Sequence, residues 1–309
     1  MRAVRIHQYG GIEALQVDQI DKPTINADDV LIEVKASSIN PVDWKIRQGY
    51  LKDFIPYELP LTLGWDVAGV VTVVGSDVTD FKVGDEVFSR PDITRSGTFA
   101  DYIAVKADEV ALKSKKLDFA QAASLPLAGI TAWECLVDVG NIQDGQRVLI
   151  HAGAGGVGHL AIQIAKAKGA TVIATASTKN QALLVELGAD QAVDYSQGTL
   201  LEQIEPVDLV VDTMGGEVQA QSWPLLKKGG MLVSVVDQPD EAIAKAHDVE
   251  GAFVFIQPSR RILEELNALV EQEQLIPFIE NSFPLEKLAD AHLQSQTGRT
   301  RGKIVIEVN

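Results

Sequence analysis

One cysteine in 309 residues, Cys135, excludes an internal disulfide and any cysteine-rich metal centre. The five histidines are scattered, and none has a second histidine four residues away, the spacing that puts two metal ligands on one helix face. Basic side chains are scarce: 27 Lys and Arg against 43 Asp and Glu leave a formal charge of −16. That balance argues against nucleic acid or an anionic membrane as partner, since both demand a basic face. No apolar run of about 18 residues is present to cross a bilayer. The start, MRAVRIHQYG, alternates like a strand rather than running apolar like a signal peptide. The expected compartment is the cytoplasm. Cys135, flanked by Ile130, Trp133, Leu136 and Val137, reads as a small core residue on the apolar side of a helix.

What is present concentrates in RVLIHAGAGGVG, Arg147 to Gly158. An apolar run, Val148 to Ile150, breaks into a glycine loop, and His159 to Lys168 follows with Leu160, Ile164 and Ala167 on one helical stripe. Gly153, Gly155 and Gly158 fit G-x-G-x-x-G, the dinucleotide-binding loop. The first glycine is expected to permit the turn, the second to let a pyrophosphate approach the backbone, and the third to let helix and strand pack closely. Gly156 and Val157 complete the loop, and the following helix N-terminus offers free N–H groups to phosphate.

The loop lies mid-chain, so about one domain precedes it. Up to about Lys113 the chain reads as short strands and turns: Val30–Ala36, Val67–Val74, Val87–Phe88 and Thr98–Val105. After Leu117 helices are expected at 119–124 and 131–139. Strands 148–151, 171–176, 192–195, 208–212, 231–236 and 252–256 then alternate with helices, the pattern of a doubly wound parallel sheet. An amphipathic helix carrying Ile262, Leu266, Leu269 and Val270 follows. The closing GKIVIEV reads as a strand that returns to the N-terminal β region.

These features together resemble the medium-chain dehydrogenase/reductase superfamily, and within it the zinc-independent quinone oxidoreductases. The resemblance rests on SSINPVDWKIRQG at Ser37–Gly49, GWDVAGVV at Gly64–Val71, VGDEVF at Val83–Phe88, GTFADY at Gly97–Tyr102, LPLAGITAW at Leu125–Trp133, AGGVG at Ala154–Gly158 and the terminal GKIVIEV. It implies an α/β protein: a GroES-like β-rich catalytic domain over 1–122, completed by 258–309, and a Rossmann doubly wound domain over 123–257, with the active site in the cleft between them. It also implies a homodimer. Zinc alcohol dehydrogenases of the superfamily carry a cysteine where this chain has Asn40–Asp43, His-Glu where it has Trp65-Asp66, and a four-cysteine lobe absent here. Trp65 cannot coordinate zinc. Without zinc the chemistry moves from alcohol oxidation to reduction of an already electron-poor acceptor.

Choice of nicotinamide cofactor depends on the loop after the second Rossmann strand, where NAD enzymes place an acidic residue about 20 residues beyond the glycines. Here Ser177 stands there, followed by Thr178 and Lys179, so nothing in that loop repels a 2′-phosphate; two hydroxyls and a cation can hold it. NADP is therefore the expected cofactor. By resemblance, Tyr195 packs beside the adenosine phosphate and Thr131 lies near the nicotinamide; a basic residue of the Arg299–Lys303 tail could assist at the phosphate. Asn40 and Asp43 resemble polar cleft residues of the family, and Tyr50 falls where a substrate-facing side chain is expected. Asn40, Pro41 and Asp43 also suit the start of a short helix, as cap, first residue and first-turn acid. The expected function is NADPH-dependent, metal-free reduction of quinones or other α,β-unsaturated carbonyls by hydride transfer. The alternative is an NADPH-binding sensor or structural protein of the same fold with little turnover.

Overall fold

The structure is a computed structural model that describes residues 1–308. The chain divides into two compact units. One comprises Met1–Leu127, Gln257–Glu271 and the stretch from Pro277 onward; the other comprises Ala128–Ile256 and Gln272–Ile276.

The first unit is built on Asp29–Ser38, a ten-residue strand that pairs antiparallel with Val67–Val74, Tyr102–Lys106 and Lys303–Glu307. Branched apolar residues line it, with Val30, Ile32 and Val34 buried in the core with Val67, Val71, Val105 and Ile306. The C-terminal strand does return here: Val305 faces Ser38 and Ile306 faces Ser37. That register places Lys303 just past the end of Asp29–Ser38, where Ile39 donates its N–H to the Ile304 carbonyl at 2.9 Å. The chain then turns into the helix Pro41–Arg47. Strand 98–105 is shorter than its sequence suggests. Thr98 and Phe99 donate to the Gly64 and Leu63 carbonyls of a loop, and regular pairing starts only at Tyr102. The helix Leu288–Gln296 carries no strong apolar period and was not expected; Leu288, Ala291 and His292 form its buried side.

The second unit holds a six-stranded parallel sheet in the order Gln191–Asp194, Thr171–Ala176, Arg147–Ile150, Val207–Asp212, Leu226–Ser234, Glu250–Phe253. In chain order this is 3-2-1-4-5-6, the doubly wound arrangement, with the first strand central. Val148, Leu149 and Ile150 are wholly buried, as a strand covered on both faces requires. The helix expected at 131–139 is instead an α-helix Pro126–Trp133 that widens into a π turn over Glu134–Asp138, where Val139 reaches back five residues to the Glu134 carbonyl. Cys135 sits in that turn, buried, and burial pushes its thiol pKa up.

Candidate functional site

At the end of Arg147–Ile150 the chain makes a tight turn whose left-handed residue is Ala152, with φ +49°. This corrects the expectation for Gly153, which does not adopt a left-handed backbone. Its need for glycine is steric: a Cβ there would lie 2.8 Å from Leu184 Cδ2 and 2.9 Å from the Ala174 methyl. A Cβ on Gly158 would lie 2.3 Å from the Ala152 carbonyl oxygen, so the third glycine does allow helix Gly158–Ala167 to close onto the turn. At Gly155 the only near neighbour is that same oxygen at 3.2 Å, which leaves the face of the loop open. Among the described residues, the N–H groups of Gly156 and Val157 have no protein acceptor. An open backbone with unpaired donors at the head of a ten-residue helix fits a pyrophosphate.

His151, just before the loop, is wholly enclosed. Ser222 spends its one hydroxyl proton on the Val218 carbonyl at 2.6 Å, so His151 Nε2 must donate to Ser222 Oγ at 2.8 Å. Its Nδ1 then accepts from Thr175 Oγ1 at 3.2 Å. Burial lowers this imidazole's pKa to about 4, so it is neutral and joins the first two strands to the helix Gly216–Ser222.

Loop 177–180 follows strand Thr171–Ala176 as anticipated, with Thr178 and Lys179 exposed and Ser177 half-buried. Its electrostatics differ from the sequence reading. Ala176 pairs in register with Asp194, the last residue of the neighbouring strand. The Asp194 carboxylate accepts from Thr178 Oγ1 at 2.5 Å and from Ser196 Oγ and N–H at 2.7 and 3.0 Å. The Thr178 hydroxyl is thus engaged by a carboxylate, and a negative charge stands beside the loop after all. Those hydrogen bonds, Thr178's foremost, hold the Asp194 pKa below its ordinary value. Tyr195, next along, is exposed.

The first unit contains a buried polar cluster. Asp66, wholly enclosed, accepts from Ser38 Oγ at 2.6 Å, Asn40 Nδ2 at 2.7 Å and the Leu127 N–H at 2.7 Å. Lys303 Nζ, 2% exposed, lies 3.2 Å from Asp66 and donates to Asn40 Oδ1 at 2.6 Å. Asp43 accepts from the Asn40 N–H at 2.7 Å at the start of Pro41–Arg47. Burial, with the Asp66 charge adding to it, raises the Asp43 pKa well above the carboxylate range. Asn40 and Asp43 are therefore brought together, in the helix-start role that the sequence allowed. Tyr50 is outside this network: 71% exposed, its ring edge-on to Trp44. Thr131 is buried in helix Pro126–Trp133 of the second unit. Of the basic residues in the Arg299–Lys303 tail, Lys303 is enclosed with Asp66 and Asn40, and Arg301 binds Glu280 at 3.1 Å. Sequence reasoning missed Ser38, Asp66 and Lys303 as partners, because no local spacing joins residues up to 263 positions apart.

Residues 26–115 match the alcohol dehydrogenase GroES-like domain family, and residues 187–306 match a family described as zinc-binding dehydrogenase. The chain is 35% identical to the human mitochondrial NAD(P)H oxidoreductase RTN4IP1, covering all of this chain and 89% of that protein. It is 38% identical to the chloroplastic NADPH-dependent alkenal/one oxidoreductase of Arabidopsis thaliana, over 99% and 79%. Among solved structures, the quinone oxidoreductase of Coxiella burnetii superposes with a TM-score of 0.91 at 39% identity, over 100% and 99% of the two chains.

Proposed function

Because the chain belongs to the quinone oxidoreductase family of medium-chain dehydrogenases/reductases, we propose that it is an NADPH-dependent, metal-free reductase of quinones or other α,β-unsaturated carbonyls. The observation that carries this reading is the glycine loop, open at Gly155 and offering the unpaired Gly156 and Val157 N–H groups to a pyrophosphate. The quinone and alkenal/one acceptors named for the similar Coxiella and Arabidopsis proteins supply the substrate class.

When bound, the reduced nicotinamide supplies a hydride to the electron-poor carbon of the acceptor. The Gly156 and Val157 N–H groups would hold the pyrophosphate over the face left open at Gly155, with Gly153 and Gly158 letting the turn and helix pack closely, while Ser177, Lys179 and Tyr195 would face the adenosine phosphate. Thr131 serves the nicotinamide end. Both ends of the Asn40 carboxamide are engaged and Asp43 is enclosed, so these two position the helix that carries the substrate-facing surface. Tyr50, with its exposed ring, is the candidate for substrate contact. A conjugated acceptor delocalises the incoming charge itself, so solvent or one hydroxyl completes the protonation, and the protein's part is positioning and exclusion of water.

Absence of zinc from the reaction is supported by Trp65, packed in the core, and by Asp66, whose oxygens are taken by Ser38, Asn40, Lys303 and Leu127. A homodimer is supported by the edge strand Glu250–Phe253, at whose end and just past it Phe253 and Phe255 are 40% and 50% exposed. The enclosed thiol of Cys135 suits a reducing compartment such as the cytoplasm. The test is a screen of quinones, enals and enones with the purified, metal-analysed protein, following NADPH oxidation. Turnover in zinc-free protein supports the reading. Tight NADPH binding with no turnover on any acceptor would favour the sensor alternative.

A further inference from the structure

We propose that Asp194 sets how strongly this protein discriminates NADPH from NADH, acting as a fixed negative charge that opposes the 2′-phosphate. The inference rests on the cofactor reading above and deepens it, because it concerns the degree of preference and the residue that limits it.

Three observations lead to it. The acidic residue expected after the second Rossmann strand is missing, since Ser177 stands there. A carboxylate nevertheless reaches the same loop from the adjacent strand, because the parallel register sets Asp194 beside Ala176, one residue before Ser177. That carboxylate is held in place by Thr178 Oγ1, Ser196 Oγ and the Ser196 N–H, all of them uncharged donors. Its negative charge is therefore fixed but not neutralised. Among the described residues, neither Asp194 nor Lys179 is in an ion pair, so both charges are available to a ligand at the loop.

The consequences differ for the two cofactors. A 2′-phosphate carries close to two negative charges and is attracted by Lys179 while opposed by Asp194. The ribose hydroxyl of NADH carries none, so Asp194 leaves it undisturbed and offers an acceptor. The Thr178 hydroxyl, in addition, must leave Asp194 before it can donate to a phosphate. The site thus binds NADPH more weakly than its cation and hydroxyls alone would allow, and NADH is penalised less than in a site without the carboxylate.

The test is titration of NADPH and of NADH, followed by cofactor fluorescence or calorimetry, into wild type, Asp194→Asn, Thr178→Val and Lys179→Ala at low and high salt. Asp194→Asn keeps the shape and removes the charge: its Oδ1 can still accept from Ser196, while its Nδ2 donates to Thr178 Oγ1 where the carboxylate accepted. It should tighten NADPH by about 3- to 10-fold, the size of one exposed charge acting on a doubly charged group, and leave NADH unchanged or weaker. The gain should shrink as salt rises. Thr178→Val retains the charge and should not tighten NADPH. If Asp194→Asn leaves NADPH affinity unchanged, weakens it, or moves both cofactors equally, Asp194 is no more than a loop anchor and the inference is overturned. Lys179→Ala separates this from failure of the cofactor reading: if it weakens both cofactors equally, the loop does not read the phosphate at all. Should Asp194→Asn lower the melting temperature, Asp194→Ser, with the same loss of charge, gives the same comparison.

Discussion

Two buried aspartates show how differently the two units are assembled. In the second unit Asp212 satisfies both oxygens with uncharged donors: the Met214 and Gly215 N–H groups, Gln219 Nε2 and Ser234 Oγ. All lie on its own strand end, the adjoining turn and helix, or the paired strand. In the first unit Asp66 draws on residues 38, 40, 127 and 303, and one of these, Lys303, is a cation as deeply enclosed as the aspartate itself. The second unit builds its glycine loop from backbone, with glycines clearing the space. The first builds its interior from side chains that folding alone brings together. A local device tolerates change at a distance, whereas a buried ion pair transmits the loss of either partner to the other.

The largest effect should come from separating that pair. Lys303→Met leaves Asp66 enclosed without its cation and should cost about 3–5 kcal/mol of stability. The double variant Lys303→Met/Asp66→Asn should recover a substantial part, because the uncompensated charge is gone. Urea or guanidinium unfolding of wild type and both variants gives the numbers. Equal stability of Lys303→Met and wild type would mean that the pair is not held as described.

Next in size is an acid-dependent loss centred on His151. Its folded pKa, about 4, lies below that of an exposed imidazole, so between about pH 6.5 and 4 the unfolded chain binds more protons than the folded one. Its contribution is intact above that window and is lost as the pH falls through it, by about 3 kcal/mol at most. His292 in the first unit acts in the same direction. Burial, with the Arg47 guanidinium beside its Nδ1 at 3.0 Å, lowers its pKa to about 3. Unfolding free energies at pH 8 and pH 5 for wild type, His151→Gln and His292→Gln divide the slope between the units; each variant should flatten it.

A third expectation separates binding from stability within the glycine loop. Gly155→Val should cost less stability than Gly158→Val, since its Cβ asks the Ala152 carbonyl oxygen at 3.2 Å to give by only a few tenths of an ångström, yet weaken NADPH binding by more than about tenfold by covering the open face. Gly158→Val should lose both, because the Ala152 carbonyl at 2.3 Å is backbone and cannot yield. Thermal melts and cofactor titration distinguish them. Unaltered NADPH affinity in a folded Gly155→Val protein would reduce the loop to a turn.

The smallest effect completes the contrast with Lys303. Lys227 and Asp208, in the second unit, approach to 2.9 Å, closer than Lys303 and Asp66, but both are in contact with solvent. Lys227→Met should cost no more than about 1 kcal/mol, measured in the same unfolding series. A loss matching that of Lys303→Met would show that distance, not burial, governs these pairs.

The doubly wound unit was legible because its signals are local. Apolar runs of strand length, glycines at fixed offsets and helical stripes each report on their own few residues, and the strand Thr171–Ala176 falls at its anticipated bounds. So was the steric demand at Gly158, which follows from the motif. Errors arose where a residue's role depends on a partner distant in sequence. The turn that the motif predicts at Gly153 is made by Ala152, and only the packed structure shows Leu184 and Ala174 against the glycine. Nothing in the spelling of the Arg299–Lys303 tail sets Lys303 apart from its two arginines; strand pairing encloses it by drawing Lys303–Glu307 against Ser37 and Ser38. Asp194 sat outside any nucleotide-reading position, yet the parallel register carries its charge to the loop beside Ala176. Sequence by itself determined where the backbone must be free of side chains, since that is a property of residue type and spacing. Tertiary structure decided which charges meet, because electrostatic partners are set by distance in space, and distance along the chain says nothing of it.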